Sequence, residues 1–188
     1  MKYEGKRYIT VVKNEQIAEG IYDMWAEAGE IALRAKPGQF LSLYCSDASR
    51  LLPRPISICE TDKKTARIRL IYRVVGKGTE EFSRLKSGDK IGCLGPLGNG
   101  FALETGRALI IGGGIGIPPL LELAKRLDCE KNIVLGFRNI PFLVKDFERY
   151  GRVFLATEDG SAGIKGNVLD AVNRYGLKAD VIYACGPL

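Results

Sequence analysis

Four stretches of this sequence combine residue types and spacings suited to chemistry. In Arg54-Pro55-Ile56-Ser57-Ile58 the β-prone composition predicts a strand, on which alternate residues share a face. Arg54 has the planar donor fork that holds a phosphate, and Ser57 brings a hydroxyl to a bound ring. Alone, the motif equally describes a salt-bridged arginine beside an edge-strand proline. Ile71-Tyr72-Arg73-Val74-Val75-Gly76-Lys77-Gly78-Thr79 leads from a strand into a helix with Thr79 as its N-cap. Free N–H groups at such a start suit a phosphate. Tyr72 either flanks a planar ligand or is an ordinary strand tyrosine.

The third stretch, Leu109 to Pro119, carries Gly112-Gly113-Gly114-Ile115-Gly116 between an apolar strand and a helix opened by Pro118 and Pro119. Glycine lets the backbone turn sharply and approach a ligand closely. Proline at the helix start removes an N–H that would be unpaired anyway. The pattern reads as a pyrophosphate cradle, with a structural tight turn as the alternative. It departs from the dinucleotide fingerprint, because Pro119 stands where a third glycine belongs. The ribose-binding acid expected ~20 residues on is also missing. Gly136-Phe137-Arg138-Asn139 occupies that region, where Arg138 either meets an adenosine ribose or its 2′-phosphate, or is a solvated surface arginine. The fourth stretch is the strand end Tyr183-Ala184-Cys185-Gly186-Pro187. Ligands of open parallel sheets sit beyond the carboxyl ends of the strands, which places Cys185 beside a nicotinamide, although a lone cysteine also serves as a packing residue.

What the composition lacks narrows the chemistry. There is no histidine among 188 residues, so histidine acid–base catalysis and histidine metal ligands are excluded. Cys45, Cys59, Cys93, Cys129 and Cys185 are widely spaced and form no C-x-x-C pair. That spacing predicts no disulfide framework and no zinc or iron–sulfur site, and reduced thiols fit the cytoplasm. The net charge of +6 favours anionic partners, but no Lys/Arg block is dense enough to mark a nucleic-acid tail. The polar start predicts no signal peptide. The apolar stretch 108–124 is broken by glycine and proline and is shorter than the ~20 residues of a membrane span.

Positioning these stretches requires two kinds of architecture. Up to residue 103 the sequence reads as short strands (Lys6–Lys13, Ile17–Trp25, Gln39–Cys45, Pro55–Glu60, Ala66–Val75, Lys90–Leu94), with one helix at Thr79–Lys86. Turn signals at this interval predict a small antiparallel barrel. From residue 104 strands and helices alternate: strands at Ala108–Ile111, Asn132–Phe137, Val153–Ala156 and Val181–Ala184, helices at Pro118–Leu127, Pro141–Tyr150 and Asn167–Tyr175. This order predicts a parallel sheet covered on both faces.

The four motifs occur in an order that resembles the ferredoxin–NADP reductase superfamily, as do Pro37-Gly38-Gln39-Phe40 and Gly95-Pro96-Leu97-Gly98. Leu52-Pro53-Arg54-Pro55-Ile56-Ser57-Ile58, Tyr72 to Thr79, and Thr157-Glu158-Asp159-Gly160-Ser161 with Gly163 and Gly166 are similar to the electron-transfer subunit of dihydroorotate dehydrogenase. The resemblance implies a two-domain protein: an FAD-binding β-barrel over 1–103 and an α/β NAD-binding lobe over 104–188, lacking its last helix. Arg54, Pro55, Ile56, Ser57, Ile71, Tyr72, Arg73, Gly78 and Thr79 would bind FAD. Gly112, Gly113, Gly114, Ile115, Gly116, Cys185, Gly186 and Pro187 would bind NAD(H), with Ser57 and Cys185 nearest the reacting rings.

Electrons would run from an FMN-containing catalytic subunit that oxidises dihydroorotate, within a heterotetramer, through a [2Fe–2S] centre to FAD, and from FAD as hydride to NAD⁺. The family carries that cluster on C-terminal cysteines, which no cysteine of this sequence matches; the chain is either truncated or works without the cluster. Two other expectations share the fold: an NAD(P)H-dependent flavoprotein subunit of a ferredoxin or sulfide oxidoreductase, and a flavin-free regulatory module.

Overall fold

The computed structural model describes residues 5–47 and 49–187. The chain divides into two compact units, one ending at Gly100 and the other starting at Phe101. In the first, β1 (Arg7–Ala18), β2 (Ile21–Glu27), β3 (Phe40–Tyr44), β4 (Arg54–Asp62), β5 (Arg67–Arg73) and β6 (Lys90–Leu97) form a closed barrel in the order β1-β2-β5-β4-β3-β6. Every neighbouring pair is antiparallel. The stretch expected as one strand, Ile17–Trp25, is split: β1 ends at Ala18 and β2 starts at Ile21. Gly20 lies between them with φ 66°, a conformation glycine adopts without strain, and it turns the chain back on itself.

Alternate side chains point inward. Ile9, Val11, Met24, Leu41, Leu43, Ile58, Ile68, Leu70 and Tyr72 fill the barrel. A short helix, α1 (Glu30–Arg34), which the sequence did not signal, adds Ile31 and Ala32 to that core. A second, α2 (Lys77–Ser83), adds Phe82, whose ring meets Tyr72 edge-on at 6.3 Å. The expected Thr79–Lys86 helix therefore starts and stops earlier, and Gly76, not Thr79, is its N-cap.

On the outer face of β2, β5 and β4, Arg69 joins three strands. Its Nε lies 3.0 and 3.1 Å from the two carboxylate oxygens of Asp23 and its Nη2 2.8 Å from Oδ2, while Nη1 lies 3.5 Å from Glu60. All three side chains are only about a tenth exposed, so solvent screens the cluster weakly.

In the second unit β7 (Ala108–Gly113), α3 (Pro119–Arg126), β8 (Lys131–Phe137), α4 (Val144–Glu148), β9 (Arg152–Thr157), β10 (Ile164–Lys165), α5 (Val168–Arg174) and β11 (Val181–Cys185) follow in turn. The sheet is parallel, in the order β10-β9-β8-β7-β11. Leu109, Val134, Phe154 and Ala156 meet Ala171 of α5 on one face. On the other, the space beside Gly112 is filled by Ile117 and by Leu120 of α3. The helix expected at Pro141–Tyr150 is confined to α4, because Leu143 sits in the left-handed region and acts as its N-cap. Asn167 caps α5, accepting from Leu169 N at 2.8 Å and Asp170 N at 3.2 Å.

β11 is pinned beside β7 at its start, where Asp180 accepts from Arg107 N (2.9 Å), Nε (3.1 Å) and Nη2 (3.0 Å). These bonds hold the Asp180 carboxyl down at about 2. No helix among the described residues is long and apolar enough to cross a membrane.

Replacing Arg69 by methionine leaves two nearly buried carboxylates without their cation. Chemical denaturation of Arg69→Met is expected to show a loss of about 3–5 kcal/mol; a change within error would mean the cluster is solvated.

Candidate functional site

The barrel is closed, but one of its ladders is short. β4 and β5 pair only from Asp62↔Arg67 to Ile58↔Leu70. Beyond that point β4 runs along β3, with Phe40↔Ser57, Leu41↔Ile56, Ser42↔Pro55 and Leu43↔Arg54. β5 runs along β2, with Asp23↔Ile71, Tyr22↔Tyr72 and Ile21↔Arg73. Two strand edges, Arg54–Ser57 and Ile71–Arg73, thus border a seam across which no pair forms among the described residues. Backbone N–H and C=O groups are obligatory hydrogen-bonding groups, so such a seam suits a flat ligand with donors and acceptors along its rim. Ile56 and Ile58 point into the core, which turns the half-buried Ser57 outward.

Arg54 closes one end of this seam. Its guanidinium lies over Gly78: a Cβ built there would stand 2.6 Å from Nε. Its Nη1 donates to Leu52 O. Two motifs that are far apart in sequence therefore meet. Thr79 is buried and its hydroxyl is engaged locally. It accepts from Val75 N at 3.0 Å and Gly76 N at 3.3 Å and donates to Gly76 O at 3.0 Å. Thr79 is not the N-cap but the third residue of α2, and its hydroxyl reaches back to the N–H of the N-cap Gly76, the side-chain half of a capping box. The loop before β4 is fastened to α2, since Glu81 accepts from Ser46 N (2.6 Å) and Oγ (2.7 Å) and from Arg50 Nη1 (2.7 Å).

Tyr72 does not offer its ring to a ligand. It is 1% exposed, stacks on Tyr22 at 5.8 Å, and burial pushes its phenol above the ordinary range. Its hydroxyl donates to Asn14 Oδ1 at 3.0 Å. Asn14 Nδ2 in turn donates to Phe82 O at 2.9 Å and Leu85 O at 3.0 Å, at the end of α2. Asn14 carried no sequence signal, because its partners lie 58 to 71 residues away. Of the other predicted residues, Ile56 and Ile71 are buried, Gly78 is buried under Arg54, and Pro55 and Arg73 are exposed.

The second unit brings its two motifs together at the carboxyl edge of the sheet. The strand order places β7 between β8 and β11, and the chain leaves β7 in one direction and returns on the other side. That is a topological switch point, where open parallel sheets bind ligands. Cys185 is in register with Gly112. The loop after β7 makes a 3₁₀ turn over Gly114–Gly116 before the prolines open α3. A Cβ on Gly116 would stand 2.5 Å from Cys185 O and from Gly186 Cα, and one on Gly186 would stand 2.9 Å from Gly113 N. The two loops are in backbone contact that only glycine permits. Gly114 differs: it has φ 50° and an added Cβ would meet nothing within 4 Å, so its backbone is open to a ligand. Ile115 beside it is exposed, as are Gly186 and Pro187. The Cys185 thiol is half-buried and burial raises its pKa, so it stays protonated at neutral pH.

Arg138 stands exposed at the same edge, its Nε 3.9 Å from Glu158 Oε2. The described residues contain no group of three or more Cys, Asp or Glu arranged to hold a metal, and the five cysteines are free.

A closed barrel whose β4–β5 ladder parts, followed by a parallel lobe with a glycine loop at its switch point, defines an oxidoreductase of the ferredoxin-reductase type. Among solved structures, the chain is similar to an NADH-dependent reduced ferredoxin–NADP oxidoreductase studied for flavin-based electron bifurcation (TM-score 0.88, 32% identity, 95% of this chain and 67% of that one). Its fold matches a flavohemoglobin from Malassezia yamatoensis (TM-score 0.80, 21% identity, 97% and 53%).

Among curated proteins it is 47% identical to the dihydroorotate dehydrogenase B (NAD(+)) electron transfer subunit of Streptococcus mutans, over 96% of this chain and 73% of that protein. The same subunit of Geobacillus thermodenitrificans is 42% identical over 97% and 75%, and that of Streptococcus pneumoniae R6 is 45% identical over 94% and 72%. No family model matches. The chain belongs to the family of dihydroorotate dehydrogenase B electron transfer subunits.

The glycine contacts rank two substitutions. Gly116→Ala drives a methyl into backbone and should lower the thermal midpoint by roughly 4–8 °C, the effect of about 2 kcal/mol in a chain this size. Gly114→Ala meets open space and should cost about 1–2 kcal/mol of left-handed backbone strain alone. Melting curves in the reverse order would contradict the described loop contact.

Proposed function

We propose that this chain is the subunit that passes electrons between FAD and NAD(H) for a dihydroorotate-oxidising catalytic subunit that carries FMN. The seam between β4 and β5, closed at one end by Arg54 against Gly78, is the observation that supports this reading most directly. The chemistry that bound FAD supplies is exchange of a hydride with a nicotinamide and of single electrons with a further centre.

The protein's part is to hold and tune. Arg54 offers its donor fork to the flavin diphosphate, and Gly78 leaves room for that guanidinium. Backbone groups of Ile56, Ser57, Ile71, Tyr72 and Arg73 border the ring, with Pro55 at the strand start. The outward hydroxyl of Ser57 is placed to hydrogen-bond the ring edge and so to tune its electron affinity. Thr79 keeps the Val75–Gly76 turn closed from within. In the second unit Gly112, Gly113, Gly114, Ile115 and Gly116 receive the diphosphate of the nicotinamide nucleotide. Cys185, with Gly186 and Pro187, lies beside the nicotinamide as a neutral thiol that adds no charge to the hydride path.

The family's [2Fe–2S] centre finds no fitting ligand set among the described residues. Five free cysteines fit a reducing compartment, the cytoplasm. A partner other than the dihydroorotate-oxidising subunit is a second reading, supported by the 32% identity to the ferredoxin-linked oxidoreductase. Co-purification with an FMN-containing barrel subunit would separate the two.

Anaerobic stopped-flow mixing with NADH tests the assignment. The flavin band should bleach, and Ser57→Ala should slow bleaching by roughly 10–100-fold, the loss of one hydrogen bond to a group that gains charge, with little change in NADH affinity. An unchanged rate would remove Ser57 from the site.

A further inference from the structure

We infer that Asn14 is a positioning residue for the flavin diphosphate site, acting through α2 and not by touching the ligand; the inference rests on the flavin reading of the seam. Asn14 lies on β1, across the barrel from the motifs described above. Its amide is used at both ends: Oδ1 accepts from the buried Tyr72 hydroxyl at 3.0 Å, and Nδ2 donates to Phe82 O at 2.9 Å and Leu85 O at 3.0 Å. Phe82 lies in the last turn of α2 and Leu85 just past its C-cap Arg84; Leu85 N also donates to Phe82 O at 3.1 Å, so the two Asn14 bonds tie this C-terminal turn of α2 to β1. Tyr72 is locked in turn by its stack on Tyr22 and its edge contact with Phe82.

A seven-residue helix transmits a displacement of its last turn to its first. That first turn carries Gly78, whose Cα side lies directly under the Arg54 guanidinium. Asn14 therefore sets the distance between α2 and β4 at the point where Arg54 meets a phosphate. The opposite flank of α2 is held separately, by Glu81 to Ser46 and Arg50. Loss of the Asn14 bonds should shift the helix without melting it.

The test compares two probes on the flavin-stripped protein. FAD carries the diphosphate and riboflavin does not, while both present the same ring to the seam. Asn14→Asp keeps an acceptor for Tyr72 but can no longer donate to the two carbonyls. It should weaken FAD binding by roughly tenfold or more, the scale of one weakened charged hydrogen bond from Arg54 to the diphosphate, and riboflavin binding by less than about threefold. Tyr72→Phe, the milder change should Asn14→Asp fail to fold, should move the same FAD-to-riboflavin ratio in the same direction by a smaller factor. If both variants lower the two affinities in proportion, or leave them unchanged, the positioning role is wrong. If the unaltered protein binds neither probe, the flavin reading falls and this inference falls with it.

Discussion

The first unit depends on one constraint: β4 and β5 must part within a barrel that stays closed. A ladder that simply frays would expose backbone and destabilise both strands. Here each strand keeps its other neighbour, β4 on β3 and β5 on β2, so parting removes pairing from one edge of each. Below the seam the register shift between Ile58 and Glu60 turns Glu60 outward to Arg69, and the Asp23–Arg69–Glu60 cluster clamps β2, β5 and β4. Above it Arg54 crosses to Gly78. The seam is thus bounded by an ion cluster at one end and the Arg54 guanidinium over Gly78 at the other.

The second unit solves the corresponding problem with backbone alone. Its two loops meet at the carboxyl edge of the sheet, where β11 returns beside β7, and touch through Gly113, Gly116 and Gly186. Side chains are excluded from that contact by sterics, which leaves main-chain groups to line it, the kind of group that phosphate sites use. The Arg107–Asp180 pair anchors the far end of the same two strands. The Cys185 thiol next to that contact is half-buried, and burial opposes its thiolate.

Much of this was legible in the sequence, because it rests on residue types with few alternative uses. The barrel and the parallel lobe followed from turn spacing and from the alternation of strands with helices. The glycine loop and the Cys-Gly-Pro strand end were recognisable because close backbone approach leaves only glycine. What escaped depended on distant partners or on a single backbone angle. Gly20 reads as a tolerated strand glycine until its positive φ makes it a turn. Thr79 has the composition of an N-cap, yet its hydroxyl reaches back to Val75 and Gly76. Tyr72 sits in a motif and faces the core, since strand parity and not motif membership decides which way a side chain points. Asn14 and the Arg69 cluster were invisible because the fold alone brings their partners together, 58 to 71 residues away for Asn14 and 46 for Asp23 and Arg69.

The proposed function stands or falls on whether the seam holds a flavin. The most direct measurement is the visible absorption spectrum of the purified protein, followed by denaturation and identification of the released chromophore. The account predicts flavin bands and close to one FAD released per chain. A colourless protein that takes up no added FAD would contradict it, leaving the fold of the family without its chemistry.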